Sequence, residues 1–262
     1  MVEYIGTHTV ERNEMILSNK VAIITGAAVG IGAATSRALA KEGCNVVCND
    51  ISDIGIEIVR EISSEGGLAH FARGDVAEIE DARNIIDQTI EVYGQLDILI
   101  NNAGVVIPGK IDSMSIEDWD RSIAVNVRGP YLMSKFAIPH LKKTQGTIVN
   151  VSSAVALKGV EDRAAYTATK GALLALTRAM AADYKNERIR VNCICPGTTD
   201  TPSLADRLSK LPDPIDARKK FIERQPLGRI GRPEEIAEGI MYLVKAEFCT
   251  GTILSVDGGM AL

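Results

Sequence analysis

The chain has 262 residues, of which 46% are apolar and 24% charged, with a formal net charge of −5. This length supports one sizeable core, and the modest negative charge without runs of lysine or arginine excludes a nucleic-acid footprint or a polybasic membrane patch. The first twenty residues, "MVEYIGTHTVERNEMILSNK", have neither the basic start and apolar centre of a signal peptide nor the length of a membrane span, so a cytoplasmic location is expected.

Residues 1–18 precede the first apolar run and are expected to form a flexible N-terminal extension. The first strand, "VAIIT" (21–25), leads into "TGAAVGIG" and a helix at 30–42. Gly26, Gly30 and Gly32 permit a tight turn and close backbone approach to a ligand, and the helix N-terminus offers free N–H groups to a pyrophosphate. The second strand, "NVVCND" (45–50), ends on Asp50. A carboxylate there accepts both ribose hydroxyls of an adenosine and repels a 2′-phosphate. No arginine or lysine lies in the glycine loop or directly after Asp50, which favours NAD over NADP; a solvated strand-end aspartate is the plainer alternative.

A helix at 55–65 and a strand "LAHFA" (68–72) follow, then "GDV", which sets Asp75 and Val76 at a strand end where an acid can meet an adenine amino group. After a helix at 78–94 comes "LDILIN" (96–101), closed by "NNAG", Asn101 to Gly104, which on its own is ordinary turn chemistry. Helical patterns at 115–141 and 164–186 flank the strand "GTIVNVSS" (146–153), and "IRVNCIC" (189–195) follows. The proline and charge spacing from Thr198 to Pro233 predicts an excursion with two short helices, a lid near 198–232. A helix at 233–245 and "TILSVD" (252–257) complete the chain.

Near-continuous hydrophobicity in the strands, alternating with helices, implies a single-domain Rossmann-type α/β fold over 19–262. Its doubly wound parallel sheet has about seven strands, helices on both faces and ligands at the carboxyl ends of the strands. Five cysteines, odd in number, suit reduced core residues better than a disulfide frame. Cys193 and Cys195 are expected on opposite faces of their strand, and no metal site is expected.

On the helix at 164–186, Tyr166 and Lys170 lie four residues apart and so stack on one face. Both side chains suit a surface helix with polar tips in water. They also suit chemistry. Moving a tyrosine pKa from about 10 to about 7 takes about 4 kcal/mol, and a positive charge about 4 Å away at an effective dielectric of about 20 supplies that much before desolvation is subtracted.

The glycine turn, "NNAG", a serine thirteen residues before the tyrosine, and "YTATK", in this order, make the chain resemble the short-chain dehydrogenase/reductase family in its form of about 250 residues. "TGAAVGIG" is similar to that family's TGxxxGIG cofactor turn and "YTATK" to its YxxxK helix. "PGTTDT" (Pro196–Thr201) resembles the segment that embraces the nicotinamide, and "SVDGG" the family's usual ending. The resemblance implies a catalytic tetrad of Asn126, Ser153, Tyr166 and Lys170, with Ser152 competing for the serine role. Cofactor contacts would come from Gly26, Gly30, Ile31, Gly32, Asp50, Asp75, Val76, Asn102, Ala103, Gly104, Tyr166, Lys170, Pro196, Gly197, Thr199 and Thr201.

It further implies proton exchange at Tyr166, a lysine that lowers the tyrosine pKa, an asparagine at a local helix irregularity, and a homo-oligomer, a tetramer being favoured. The expected activity is NAD-dependent oxidation of a secondary alcohol, polyol or sugar, or reduction of the matching ketone. Reduction of a 3-oxoacyl thioester, and a non-catalytic nicotinamide sensor, are the alternatives. Asn49 stands where it can alter the adenosine site. Lys158, Arg163, Arg207, Arg218, Lys219 and Lys220 are candidates to recognise an anionic substrate group, although solvated surface charge is the expectation for most of the six.

Overall fold

The computed structural model describes residues 17–262. The expected extension at 1–18 lies outside the described residues except for Leu17 and Ser18, and Leu17 is buried in the core. The strands are β1 (Val21–Thr25), β2 (Asn45–Asp50), β3 (Ala69–Arg73), β4 (Ile98–Asn101), β5 (Thr147–Val151), β6 (Arg190–Pro196) and β7 (Ile253–Val256). They form one parallel sheet in the order β3-β2-β1-β4-β5-β6-β7. The helices are α1 (Gly30–Lys41), α2 (Gly55–Ser64), α3 (Ile79–Tyr93), α4 (Ile116–Ile123), α5 (Gly129–Thr144), α6 (Ala164–Asp183), α7 (Pro202–Ser209), α8 (Pro214–Glu223) and α9 (Pro233–Lys245).

Strand alternation divides the core in two. Ala22 and Ile24 of β1 pack with Leu39 of α1, Ile58 of α2 and Ile240 of α9 on one face. Ile23, between them, packs with Ile85 of α3, Met133 of α5 and Met180 of α6 on the other. Each fully buried isoleucine or leucine contributes about 1.5–3 kcal/mol, and polar residues buried within the strands, such as Asn150 and Asn192, are hydrogen-bonded, to Thr177 Oγ1 and Cys249 O respectively.

The strand order reverses between β2 and β4, on either side of β1, and parallel sheets open a crevice at such a switch point beyond the carboxyl ends of the strands. Two features then shape that crevice. The helix expected at 115–141 is divided into α4, a wider π-type turn at Ala124–Arg128, and α5. The segment expected as a lid, 198–232, contains the two short helices its sequence suggested. Thr201 caps α7 by accepting from Leu204 N at 3.3 Å, and Asp213 caps α8 by accepting from Ile215 N and Asp216 N, each with a proline at the first turn. Leu204, Leu208 and Phe221 give the lid its own small core.

The placement of Cys193 and Cys195 needs correction. Residues two apart on a strand share a face, and the two thiols interact, hydrogen bonding to Cys195 together with burial pushing the Cys193 thiol up. All five cysteines are free. Among the described residues no helix is long and apolar enough to cross a membrane, and no cluster of three or more metal-ligating side chains occurs.

Candidate active site

The crevice holds two adjoining clefts at the carboxyl ends of the strands. The first runs from Gly26, Gly30 and Ile31 past Asp50, Asp75 and Val76 to Asn102, Ala103 and Gly104. Its floor is locked by backbone contacts. Asn102 Nδ2 donates to Thr25 O at 2.8 Å and Gly26 O at 3.0 Å, while Thr25 Oγ1 accepts from the N–H groups of Asn102 and Ala103, both at 3.0 Å. A side chain has no room here: a Cβ at Gly32 would overlap Gly26 O, and one on Gly26, whose φ is +64°, would lie 2.9 Å from Ala103 Cα.

Asp50 sits at the cleft edge, its carboxylate accepting from Ala28 N and Ser52 N, both at 3.0 Å. These two bonds fix its orientation and leave further lone pairs for a ligand. Asn49 is buried and donates to Ala72 O and Gly74 O, so it clamps β2 to the end of β3 and shapes the cleft from beneath. Asp75 accepts from Ala77 N and meets Arg121 at 3.3 Å. Arg121 is the one cation among the described residues lining this cleft, and the sequence offered no sign of it because it belongs to α4, far along the chain.

The second cleft contains Ser153, Tyr166 and Lys170 together with Pro196, Gly197, Thr199 and Thr201. Tyr166 and Lys170 lie on the first turns of α6, with Lys170 Nζ 5.8 Å from the centroid of the tyrosine ring. Lys170 is only 4% exposed and donates to Val151 O at 2.8 Å. Burial pushes its pKa down to about 8. Ser152 and Ser153 separate cleanly. Ser152 Oγ donates to Lys170 O at 2.8 Å and is thereby engaged in holding α6, whereas Ser153 faces Tyr166, and its hydrogen bond favours the phenolate.

Asn126 lies behind the cleft in the π-type turn, completely buried. It is bonded in both directions to the backbone of Val105, at 2.8 and 2.9 Å, and donates to Thr169 Oγ1 at 3.1 Å. Its Oδ1 and Lys170 Nζ converge on Gly104, where a Cβ would meet them at 3.1 and 3.3 Å. The four residues Asn126, Ser153, Tyr166 and Lys170 are therefore gathered at one place, although they come from the turn between α4 and α5, the loop after β5, and α6.

The expected lowering of the Tyr166 pKa by Lys170 is not the net balance in this structure. Burial pushes the phenol up, and the opposing influences are the Ser153 hydrogen bond, then Arg207 and Arg163. The physical reason is that the same burial penalises both charged forms, and the lysine ammonium is directed at Val151 O.

Of the six basic candidates, only Arg163 and Arg207 line this cleft. Arg218 pairs with Asp200 at 3.1 Å, Lys219 with Glu223 at 4.0 Å and Lys220 with Asp216 at 2.8 Å, and Lys158 points at Leu262 O. Sequence reading missed Arg224, which also lines the cleft. The available signal was its position three residues after Phe221, which puts both on one face of a helical turn.

A family model described as Enoyl-(Acyl carrier protein) reductase matches residues 26–261. The chain is 47% identical to an uncharacterized oxidoreductase of Thermotoga maritima over 249 residues, 94% of this chain and 98% of the relative. It is 38% identical to the cis-4-hydroxycyclohexanecarboxylate dehydrogenase of Sinomonas cyclohexanicum, across 92% of this chain and 96% of that one. The solved ligand-free aldohexose dehydrogenase of Thermoplasma acidophilum superposes with a TM-score of 0.84 at 36% identity, covering 94% of this chain and 95% of that one. With its parallel sheet, its glycine-lined cleft and these relatives, the chain belongs to the short-chain dehydrogenase/reductase family, whose dehydrogenases use nicotinamide cofactors.

Proposed function

We propose that the protein is an NAD-dependent dehydrogenase that oxidises a secondary alcohol, polyol or sugar, or reduces the matching ketone. The observation that carries this reading is the meeting of Tyr166, Ser153 and buried Lys170 at the inner end of a cleft whose outer end is the glycine turn and Asp50. The named substrates of two relatives, an aldohexose and a hydroxycyclohexanecarboxylate, belong to the same broad chemistry.

The cleft suits a dinucleotide on its own geometry. Gly26, Gly30 and Gly32 leave backbone exposed where a Cβ would fill the space, and the α1 N-terminus favours phosphate. Asp50 would accept the adenosine ribose hydroxyls. The absence of any cation other than Arg121 among the described residues lining this cleft, and the pairing of Arg121 with Asp75, support NAD rather than NADP. Val76 and Asp75 would flank the adenine, and Gly104, Lys170, Pro196, Gly197, Thr199 and Thr201 the nicotinamide half.

When bound, the cofactor accepts or donates the hydride. The chain's own residues handle the proton and the geometry. Tyr166 Oη takes the proton from the substrate hydroxyl during oxidation and returns one during reduction. Ser153 Oγ hydrogen-bonds the same substrate oxygen and fixes its direction. Lys170 contributes positive charge beside the phenol, and Asn126 holds the backbone at Val105 so that the cleft wall keeps its shape. A cytoplasmic homotetramer remains the assembly and location we favour.

Absorbance of reduced nicotinamide tests this, with NAD+ or NADP+ and a panel of secondary alcohols and sugars. Turnover with NAD+ is expected, falling by about 10²–10⁴ in Tyr166→Phe. Equal turnover by that variant, or preference for NADP+, would contradict the respective parts.

A further inference from the structure

Three guanidinium groups line the cleft beside Tyr166 without a salt bridge to a carboxylate among the described residues. Arg163 caps the start of α6, Arg207 lies on α7, and Arg224 ends α8. Their protein contacts are weak counterweights. Arg163 donates to Asp162 O and Arg207 to Ser203 O, both backbone carbonyls, and Arg224 stacks on the Phe221 ring at 4.2 Å. Glu161, Asp162 and Asp206 are the carboxylates whose charge reaches them. None comes within 4 Å, and Asp206 is engaged by Lys210 at 2.7 Å. Elsewhere in the lid the basic residues are paired, so this is a local exception and not a general excess of arginine.

Three like charges brought together at a partly buried wall repel one another, and the arginines depress each other's pKa as burial does. Such an arrangement loses free energy unless an anion occupies it, and a guanidinium fork matches an oxyanion in geometry. Phe221, packed with Leu204 and Leu208, holds Arg224 and Arg207 in place from behind. Arg163, at the N-cap of α6, and Tyr166, on its first turn, line the same cleft and feel each other's charge.

We propose that Arg163, Arg207 and Arg224 form an oxyanion subsite, so that the substrate alcohol carries a carboxylate, sulfonate or phosphate a few carbons from the hydroxyl exchanged by Tyr166. The inference rests on the dehydrogenase reading of the same cleft and narrows it to acidic substrates. Lid helices α7 and α8 then serve as the carriers of specificity, since they bring two of the three cations to a cleft that β5 and α6 begin.

The test has a binding arm and a turnover arm. In the binding arm, thermal stabilisation of the full chain by propanoate, methanesulfonate and inorganic phosphate is measured at matched ionic strength, with propanamide as the neutral control. At least one anion is expected to stabilise the wild type and the Lys219→Gln control. The same anion should bind about tenfold or more weakly to Arg163→Gln and to Arg224→Gln. Stabilisation by none of the three anions, or equal stabilisation of the arginine variants, would overturn the subsite.

In the turnover arm, hydroxy acids with the hydroxyl two to six carbons from the carboxylate are compared with their carboxamides. The acids are expected to be preferred, and Arg224→Gln to erase that preference. Tyr166→Phe should keep anion binding while losing turnover. Anion binding with full activity in Tyr166→Phe would therefore sink the dehydrogenase mechanism alone, whereas turnover of acids and amides alike would sink the subsite alone.

Discussion

Between β1 and β4, Thr25 and Asn102 direct their hydrogen bonds at the protein's own backbone, whereas across the cleft Arg163, Arg207 and Arg224 line the wall without a salt bridge to a carboxylate among the described residues. The first region is closed upon itself, with glycines where any side chain would collide. The second is built on two short helices around a small core and leaves its charges open. The proposed function gives the contrast a reason. A cofactor of constant shape suits a rigid backbone cradle, and a substrate is discriminated by side chains on a lid that can vary independently of the sheet.

Gly32→Ala breaks the closed region most severely. The added Cβ would overlap Gly26 O and crowd Asn102 Nδ2 at 2.7 Å, so the turn must shift. Overpacking of this kind costs about 1–3 kcal/mol of stability. A lower melting temperature and a loss of NADH binding of about 100-fold or more, by fluorescence titration, are expected, with anion binding at the arginines retained. Asp50→Asn removes the charge from the cleft edge and also costs one of the two bonds that Asp50 accepts from Ala28 N and Ser52 N. Exchanging a charged acceptor for a neutral one removes about 1.5–3 kcal/mol of interaction. The ratio of kcat/KM for NAD+ over NADP+ should fall about 10- to 100-fold, and an unchanged ratio would remove Asp50 from the cofactor reading.

Lys170 yields an effect on stability with a definite sign. Its folded pKa of about 8 lies below the ordinary lysine value of 10.5, so between these values the unfolded chain binds more protons than the folded one. Stability therefore rises with pH across this window, and the gain is lost as pH falls through about 8. Relative to Lys170→Met, the wild type should gain up to about 3 kcal/mol between pH 8 and 10.5, measured by urea unfolding. A flat difference across that range would mean the ammonium is not held in a desolvated site.

Much of the closed region was legible in the sequence. "VAIIT" is buried at all five positions and "TIVNV" likewise, and their runs of β-branched apolar residues marked central parallel strands, although "TIVNV" also buries Thr147 and Asn150. Proline at the first turn of α7 and α8 marked both lid helices. The break between α4 and α5 was not visible in the periodicity, because a single π-type turn displaces the apolar stripe by only one residue.

Tertiary electrostatics were the other gap. Arg224 looked like any surface arginine, since its meeting with Arg163 and Arg207 depends on how α8 folds back over the cleft. The balance at Tyr166 was also out of reach: spacing placed the lysine next to it, but only the packed structure sets how strongly burial opposes the phenolate.

The most direct measurement follows a label. Secondary alcohols deuterated at the hydroxyl-bearing carbon, supplied with NAD+, should yield reduced nicotinamide carrying one deuterium by mass spectrometry in the wild type, and almost none in Tyr166→Phe over the same time. Reduced nicotinamide without the label, or undiminished transfer in Tyr166→Phe, would contradict direct hydride transfer assisted by that tyrosine.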